Sequence, residues 1–302
     1  MPGPSGASGP SSPPARLLAL PALALAFNAF VWGVSWWPFR ELQARGLHPL
    51  WATALIYAVA VLAITGWRPQ AWGQLWRART LWVLVLASGT TNAAFNWGVT
   101  VGDVVRVVLL FYLMPLWAVL LARLLLNEAF TPLALARVAL ALAGAAIVLW
   151  PAEGGGLPLP RTLPEALAVL GGFSFALNNV MLKREAHQPE AARALAMFLG
   201  GVVVAGTLAT ALTLQGTVAT PPVPAPAWVL GALALAAAFV ASNLALQYGA
   251  ARLPANVTAV VMITEVLFAS LSAVLLGAGV VTPALALGGG LILAAALLSV
   301  RG

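Results

Sequence analysis

FNAFVWGVSWWPFRE (27–41) and LGGFSFALNNVMLKR (170–184) decide the fold, because the second repeats the first at an offset of 143. Phe30 aligns with Phe173, Trp32 with Phe175 and Arg40 with Lys183; upstream, Pro21 aligns with Pro164. A second pair, NAAFNWG (92–98) and NLALQYG (243–249), aligns at an offset of 151. There Asn92 meets Asn243, Asn96 meets Gln247, Trp97 meets Tyr248 and Gly98 meets Gly249. The same offset lays Thr131-Pro132 on Thr282-Pro283. Chance matching of alanine- and leucine-rich helices is the competing explanation, and matched amides and aromatics count against it.

What repeats is a set of membrane spans. The chain is 62% hydrophobic and only 8% charged, with a mean hydropathy of +0.96. A soluble domain carries about 25% charged residues, so this surface cannot be covered for water. A span needs about 20 apolar residues. Ten such stretches are expected, at roughly 17–38, 49–66, 80–99, 104–126, 133–150, 164–182, 192–214, 227–248, 255–276 and 282–300. Residues 1–16, rich in Gly, Pro and Ser, read as a disordered cytoplasmic tail. The first span follows without an obvious cleavage site and has its own repeat partner, so it reads as retained.

The fold expected is therefore all-α and integral to the membrane, with ten transmembrane helices as two five-helix repeats. The first repeat covers 17–150, a loop covers 151–163, and the second repeat covers 164–302. Five is odd, so the second copy enters from the opposite side. Inverted repeats of this kind are a common construction of secondary transporters.

Charge placement gives orientation. The net charge is +7, yet no basic run or lysine-rich arm exists, so no nucleic-acid partner is expected. With a cytoplasmic N-terminus, 11 basic residues fall inside and four (Arg40, Arg45, Arg106, Arg161) outside. Both termini are then cytoplasmic. One lysine against 14 arginines, with abundant Ala, Leu, Gly and Pro, fits a GC-rich bacterial genome and hence an inner membrane. Cysteine is absent, which excludes disulfides, zinc-thiolate sites and Fe–S clusters, and no metal or cofactor is expected. Trp67, Trp72, Trp76 and Trp82 flank one loop, as an interfacial aromatic belt does.

Polar groups inside lipid usually face a cavity or another helix. Asn92 and Asn96, four apart, share one face of the third span, and Asn243 and Gln247 repeat the pair in the eighth. They read either as equivalent linings of an outer and an inner vestibule or as helix-to-helix hydrogen bonds. Asn28, Trp32, Ser35 and Trp36 form a stripe on the first span; Phe175, Asn178 and Asn179 occupy the corresponding stretch of the sixth. An amide and aromatic lining suits a small molecule with an apolar body and a few polar groups. Trp36 also fits the belt. Glu265 is the one carboxylate near the middle of a span. It reads as a partner for a substrate ammonium, a carrier of a coupling proton, or a neutral acid bonded to a neighbouring helix. Its repeat counterpart is Met114, followed by Pro115, where a mid-helix proline makes a gating hinge or a packed kink. No Lys or Arg lies near a span centre, which disfavours a strongly anionic substrate.

AFVWGVSW (29–36), MPLWAVLLARLLLNEAFTP (114–132) and EVLFASLSAVLLGAGVVTP (265–283) resemble the drug/metabolite transporter superfamily in its ten-span EamA-type form, over nearly the whole chain. Glu128 matches the family's loop glutamate, whereas Gly279 stands at its second-half position, and Val266 replaces the family's proline after Glu265. The resemblance implies export of small metabolites, often amino acids, through a cavity between the halves. The aromatic richness is similar to the aromatic amino acid exporter branch, and a drug or cationic-compound exporter is the alternative. An enzyme is not expected: His48 and His187 fall in loops, the acidic residues are scattered, and no HExxH, GxSxG or phosphate-binding glycine loop occurs. A channel is disfavoured by the inverted repeat, and the oligomeric state is left open.

Overall fold

The structure is a computed structural model that describes residues 15–127, 131–150, 157, 159–250, 252–253 and 255–298. Side chains are described for all of these except 15–18, 247, 250 and 255–260. Residues 1–14 of the expected tail and Glu128 lie outside this set, and Ala15 and Arg16 already belong to the first helix.

Among the described residues the chain is helical throughout, without strands. The first half comprises α1 (Ala15–Val34), α2 (Trp36–Ala44), α3 (Pro49–Trp67), α4 (Gln70–Arg77), α5 (Leu81–Val101), α6 (Val104–Phe111), α7 (Met114–Leu126) and α8 (Pro132–Leu149). The second comprises α9 (Leu163–Arg184), α10 (Glu190–Gly200), a π turn (Gly201–Ala205), α11 (Gly206–Leu214), α12 (Pro226–Ala250), α13 (Ala255–Leu275) and α14 (Pro283–Leu298). In lipid the backbone must satisfy its own polar groups, which is why apolar runs of this length form helices. Among the described residues seven helices are long and apolar enough to cross a membrane, and Val261–Leu275 and Pro283–Leu298 are shorter apolar helices. This is a multi-pass membrane protein.

Local sequence sets the helix starts. Thr131 and Thr282 each accept a bond from the backbone N–H three residues on, Ala134 at 3.1 Å and Leu285 at 3.2 Å, and a proline follows each threonine. Thr162 and Glu165 form a reciprocal capping box at the head of α9. A capped threonine followed by proline is a strong start signal, since the proline lacks only an N–H that would be orphaned anyway. Pro115 follows the same logic and corrects the mid-helix kink expected for it. The helix breaks at Tyr112–Leu113, and Pro115 sits in the first turn of α7, where it removes no helical hydrogen bond. At the π turn, Gly200 lies against the Val85 carbonyl of α5, and Gly201 against the Tyr57 ring. Neither site has room for a side chain.

Contacts across the bundle pair up between the halves. Gly249 of α12 faces the Pro21 carbonyl and Leu25 of α1; Gly98 of α5 faces the Pro164 carbonyl and Leu167 of α9. Phe30 of α1 meets Phe268 of α13 edge-on at 5.4 Å and 90°. Phe173 of α9 meets Trp117 of α7 at 5.5 Å and 86°. Gly98 and Pro164 are the repeat counterparts of Gly249 and Pro21, as Phe173 and Trp117 are of Phe30 and Phe268.

One end of the bundle is tied shut. Arg40 donates to the carbonyls of Thr100 at 3.0 Å and Val99 at 3.3 Å, and also to that of Gly102, at the C-terminus of α5. Arg106 pairs with Glu165 at 2.7 Å, joining α6 to the head of α9. Asp103 accepts from Arg106 N at 2.8 Å and from Val280 N at 3.2 Å. The opposite end gathers α4, the start of α5, the end of α9 and the start of α10 around Leu75, Leu81, Met181 and Leu195.

Candidate functional site

A cavity of about 420 Å³ lies inside the bundle. Helices from both halves supply its walls: Trp32 from α1, Asn92 from α5, Phe175, Asn178 and Asn179 from α9, Asn243 from α12 and Glu265 from α13. These are the seven sequence-derived positions that the fold brings together. Two pairs among them, Trp32 with Phe175 and Asn92 with Asn243, are repeat counterparts. Asn92 and Asn243 border this cavity together, and Asn243 also borders a second cavity. Asn92 is at mid-height of α5, between Leu81 and Val101, and not near its outer end.

Three positions stand apart. Asn28 is buried and donates to the carbonyl and hydroxyl of Ser242, at 2.9 and 2.6 Å, joining α1 to α12. Trp36 is buried, outside both cavity and belt, and its Nε1 donates to Ser272 Oγ at 3.0 Å. Asn96 is fully buried and donates to Thr53 Oγ1 at 3.1 Å. All three serve as interhelical bonds because their faces meet a neighbouring helix at close range. The Gln247 side chain lies outside the described set.

Two acceptors stand out among the cavity's polar groups, the Glu265 carboxylate and the Asn178 Oδ1. Glu265 accepts from the Tyr112 hydroxyl at 3.2 Å. Asn178 Oδ1 is buried without a hydrogen-bond partner, while its Nδ2 donates to Asn179 Oδ1 at 3.3 Å. Asn92 is spent internally, accepting from Tyr57 at 2.5 Å and donating to the Ser88 carbonyl at 2.8 Å. Among the described lining residues Glu265 is the one charged group. The remaining wall is aromatic, with Trp32 stacked on Phe239 at 4.6 Å and Phe111 beside Phe95 and Phe175 at 4.7 and 5.4 Å. A carboxylate and an orphan carbonyl set among ring faces attract a cationic or strongly donating group on an apolar body.

Tyr57, Tyr112, Phe239 and Phe198 were not singled out in the sequence, though all line the cavity. Lone aromatics in so apolar a chain look like core. Tyr112 carried one usable signal, its place two residues before Met114-Pro115.

Two further cavities adjoin this one. The first, about 560 Å³, shares Tyr112, Met114, Phe175, Asn179 and Met262 with it and reaches Lys183. The second, about 450 Å³, shares Phe198 and Asn243 and reaches Arg68 and Glu190. Both lead towards the end opposite Arg40, so the central cavity is approached from that end and sealed at the other.

Residues 19–150 match the model of the EamA-like transporter family. Over this stretch the chain is similar to the EamA-like transporters. The family points to transport and not to catalysis, and to a small-molecule substrate within a membrane. One solved crystal structure is similar to this chain over 92% of its length and 96% of that structure's chain, at 21% identity and a TM-score of 0.56. That likeness concerns the fold alone. No curated protein matches the sequence.

Proposed function

We propose that the chain is a secondary transporter that exports amino acids, aromatic ones among them, and related amphipathic metabolites across a bacterial inner membrane by alternating access. In this reading ten spans form two inverted repeats, 17–150 and 164–302, joined by 151–163, with both termini cytoplasmic. The observation that carries it is the shared cavity: repeat counterparts Trp32 and Phe175, and Asn92 and Asn243, line one chamber with Glu265. The paired contacts Gly98–Pro164 and Gly249–Pro21 support the repeat independently. Two inverted halves can exchange shapes, so a chamber at their interface opens to each side in turn. Here it opens towards the side of Lys183 and Arg68, which the arginine bias makes cytoplasmic.

Glu265 would hold the substrate ammonium, the rings would hold the apolar body, and Asn178 and Asn179 would orient it. Purified protein in proteoliposomes tests this. Labelled phenylalanine or tryptophan should cross faster than in empty liposomes, and an absence of flux above that background sinks the substrate assignment. Repeating the assay with and without a proton gradient, in wild type and Glu265→Gln, tests coupling at this carboxylate.

The cavity's carboxylate and aromatic wall favour a second reading, export of cationic drug-like compounds. Quaternary amines should then compete with, or replace, the amino acid.

A further inference from the structure

The larger cavity between α7, α8, α9 and α13 has a feature that the central chamber lacks. Arg137 of α8 lines it, and the Arg137 Nε is buried without a hydrogen-bond partner. The residue stands five positions beyond Pro132, about 8 Å inside the helix end at about 1.5 Å per residue, and within a stretch long and apolar enough to span a membrane. A guanidinium at that depth is unfavourable unless it faces water or an anion. Ala118, Ala122 and Ala134 keep the space beside it open, and its volume of about 560 Å³ is that of a small-molecule site.

We infer that this cavity is an anion subsite in which Arg137 receives the carboxylate of the transported solute. This rests on the transporter reading above and names its substrate class as zwitterionic. The planar guanidinium suits a carboxylate, which it can hold through two parallel bonds. Lys183 lines the same cavity at its outer end, and Tyr112, Phe175 and Asn179 form a wall common to this cavity and the chamber of Glu265. A solute that enters through this cavity thus meets Lys183 and Arg137 before it reaches Glu265. The central chamber alone, with no described cation, would not discriminate an amino acid from the corresponding amine.

The test compares phenylalanine with 2-phenylethylamine, which keeps ring and amine but lacks the carboxylate, in phosphatidylcholine proteoliposomes. Arg137→Gln should raise the KM for phenylalanine about tenfold or more, as loss of a charge-assisted bond does. It should leave that for phenylethylamine within about twofold, and Arg137→Lys should recover part of the loss. Should Arg137→Gln fail to reconstitute, Arg137→Lys alone should raise the KM for phenylalanine several-fold while leaving that for phenylethylamine within about twofold. Equal effects on both solutes, or none on either, overturn the subsite while leaving the transporter reading intact. A defect confined to phosphatidylglycerol liposomes assigns Arg137 to a lipid phosphate and also overturns it. Wild-type protein that moves neither solute sinks the amino acid assignment. The subsite is then judged by phenylalanine quenching of tryptophan fluorescence in detergent, expected in wild type and lost in Arg137→Gln; no quenching in wild type overturns it.

Discussion

The Tyr112 hydroxyl donates to the Glu265 carboxylate at 3.2 Å, joining the break between α6 and α7 to the middle of α13. One bond thus links the chamber's charged group to the point where its wall can bend. Glu265→Gln keeps a hydrogen-bonding group and removes the charge. Flux of ammonium-bearing solutes should fall about tenfold or more, and Tyr112→Phe should lower it by less, because a solute ammonium can still reach the carboxylate. Initial rates in proteoliposomes check both, and an unchanged Glu265→Gln rate removes Glu265 from the mechanism.

The seams between the halves differ in tightness. A Cβ at Gly249 would stand 2.6 Å from Leu25 Cγ and 2.7 Å from the Pro21 carbonyl, whereas one at Gly98 would find 3.3–3.5 Å to its nearest neighbours. Gly249→Ala should destabilise by about 1–3 kcal/mol, the usual effect of overpacking, and Gly98→Ala by clearly less. Thermal unfolding in detergent distinguishes them, and equal shifts would contradict the geometry.

Because the chain has no cysteine, single reporters report orientation cleanly. Val223, 84% exposed, lies between α11 and α12, and Ala186 lies between α9 and α10, at the other end of the bundle. With cytoplasmic termini, a membrane-impermeant maleimide on intact cells should label Val223→Cys and leave Ala186→Cys untouched until lysis. The reverse pattern would invert the topology.

His48 heads α3 outside the spans, and its Nδ1 accepts from Leu50 N at 3.3 Å. Burial lowers its pKa below the usual 6.5, so the fold favours the neutral ring. Its stabilisation is full above pH 6.5 and is lost as the pH falls through the lowered value. The melting temperature should therefore drop below about pH 6.5, and His48→Asn, which keeps a capping oxygen, should flatten that part of the profile. An identical slope in both proteins would assign the pH dependence elsewhere.

Much of this architecture is legible in the chain itself. Thr131-Pro132 and Thr282-Pro283 announce helix starts, and each is capped as its residue types dictate. Pro115 misleads because proline inside an apolar run reads as a kink, while the actual break falls at Tyr112 and Leu113, where no residue type marks it. In the site, Asn178, Asn179, Asn243 and Glu265 are found simply because polar residues are scarce among apolar ones. Asn28 and Asn96 look the same in sequence, yet Ser242 and Thr53 occupy them.

Composition and span length alone determine that this chain is helical and lives in lipid, since few charges and long apolar runs permit no other satisfied backbone. Tertiary structure decides which amides face the chamber. In a helix packed on several sides, spacing shows which residues share a face, but not whether that face meets a neighbour or a void. That distinction separates Asn96, closed against Thr53, from Asn178, whose Oδ1 is unpaired beside Glu265's chamber. It also turns Arg137, one arginine among 14 in the sequence, into the cation of a cavity.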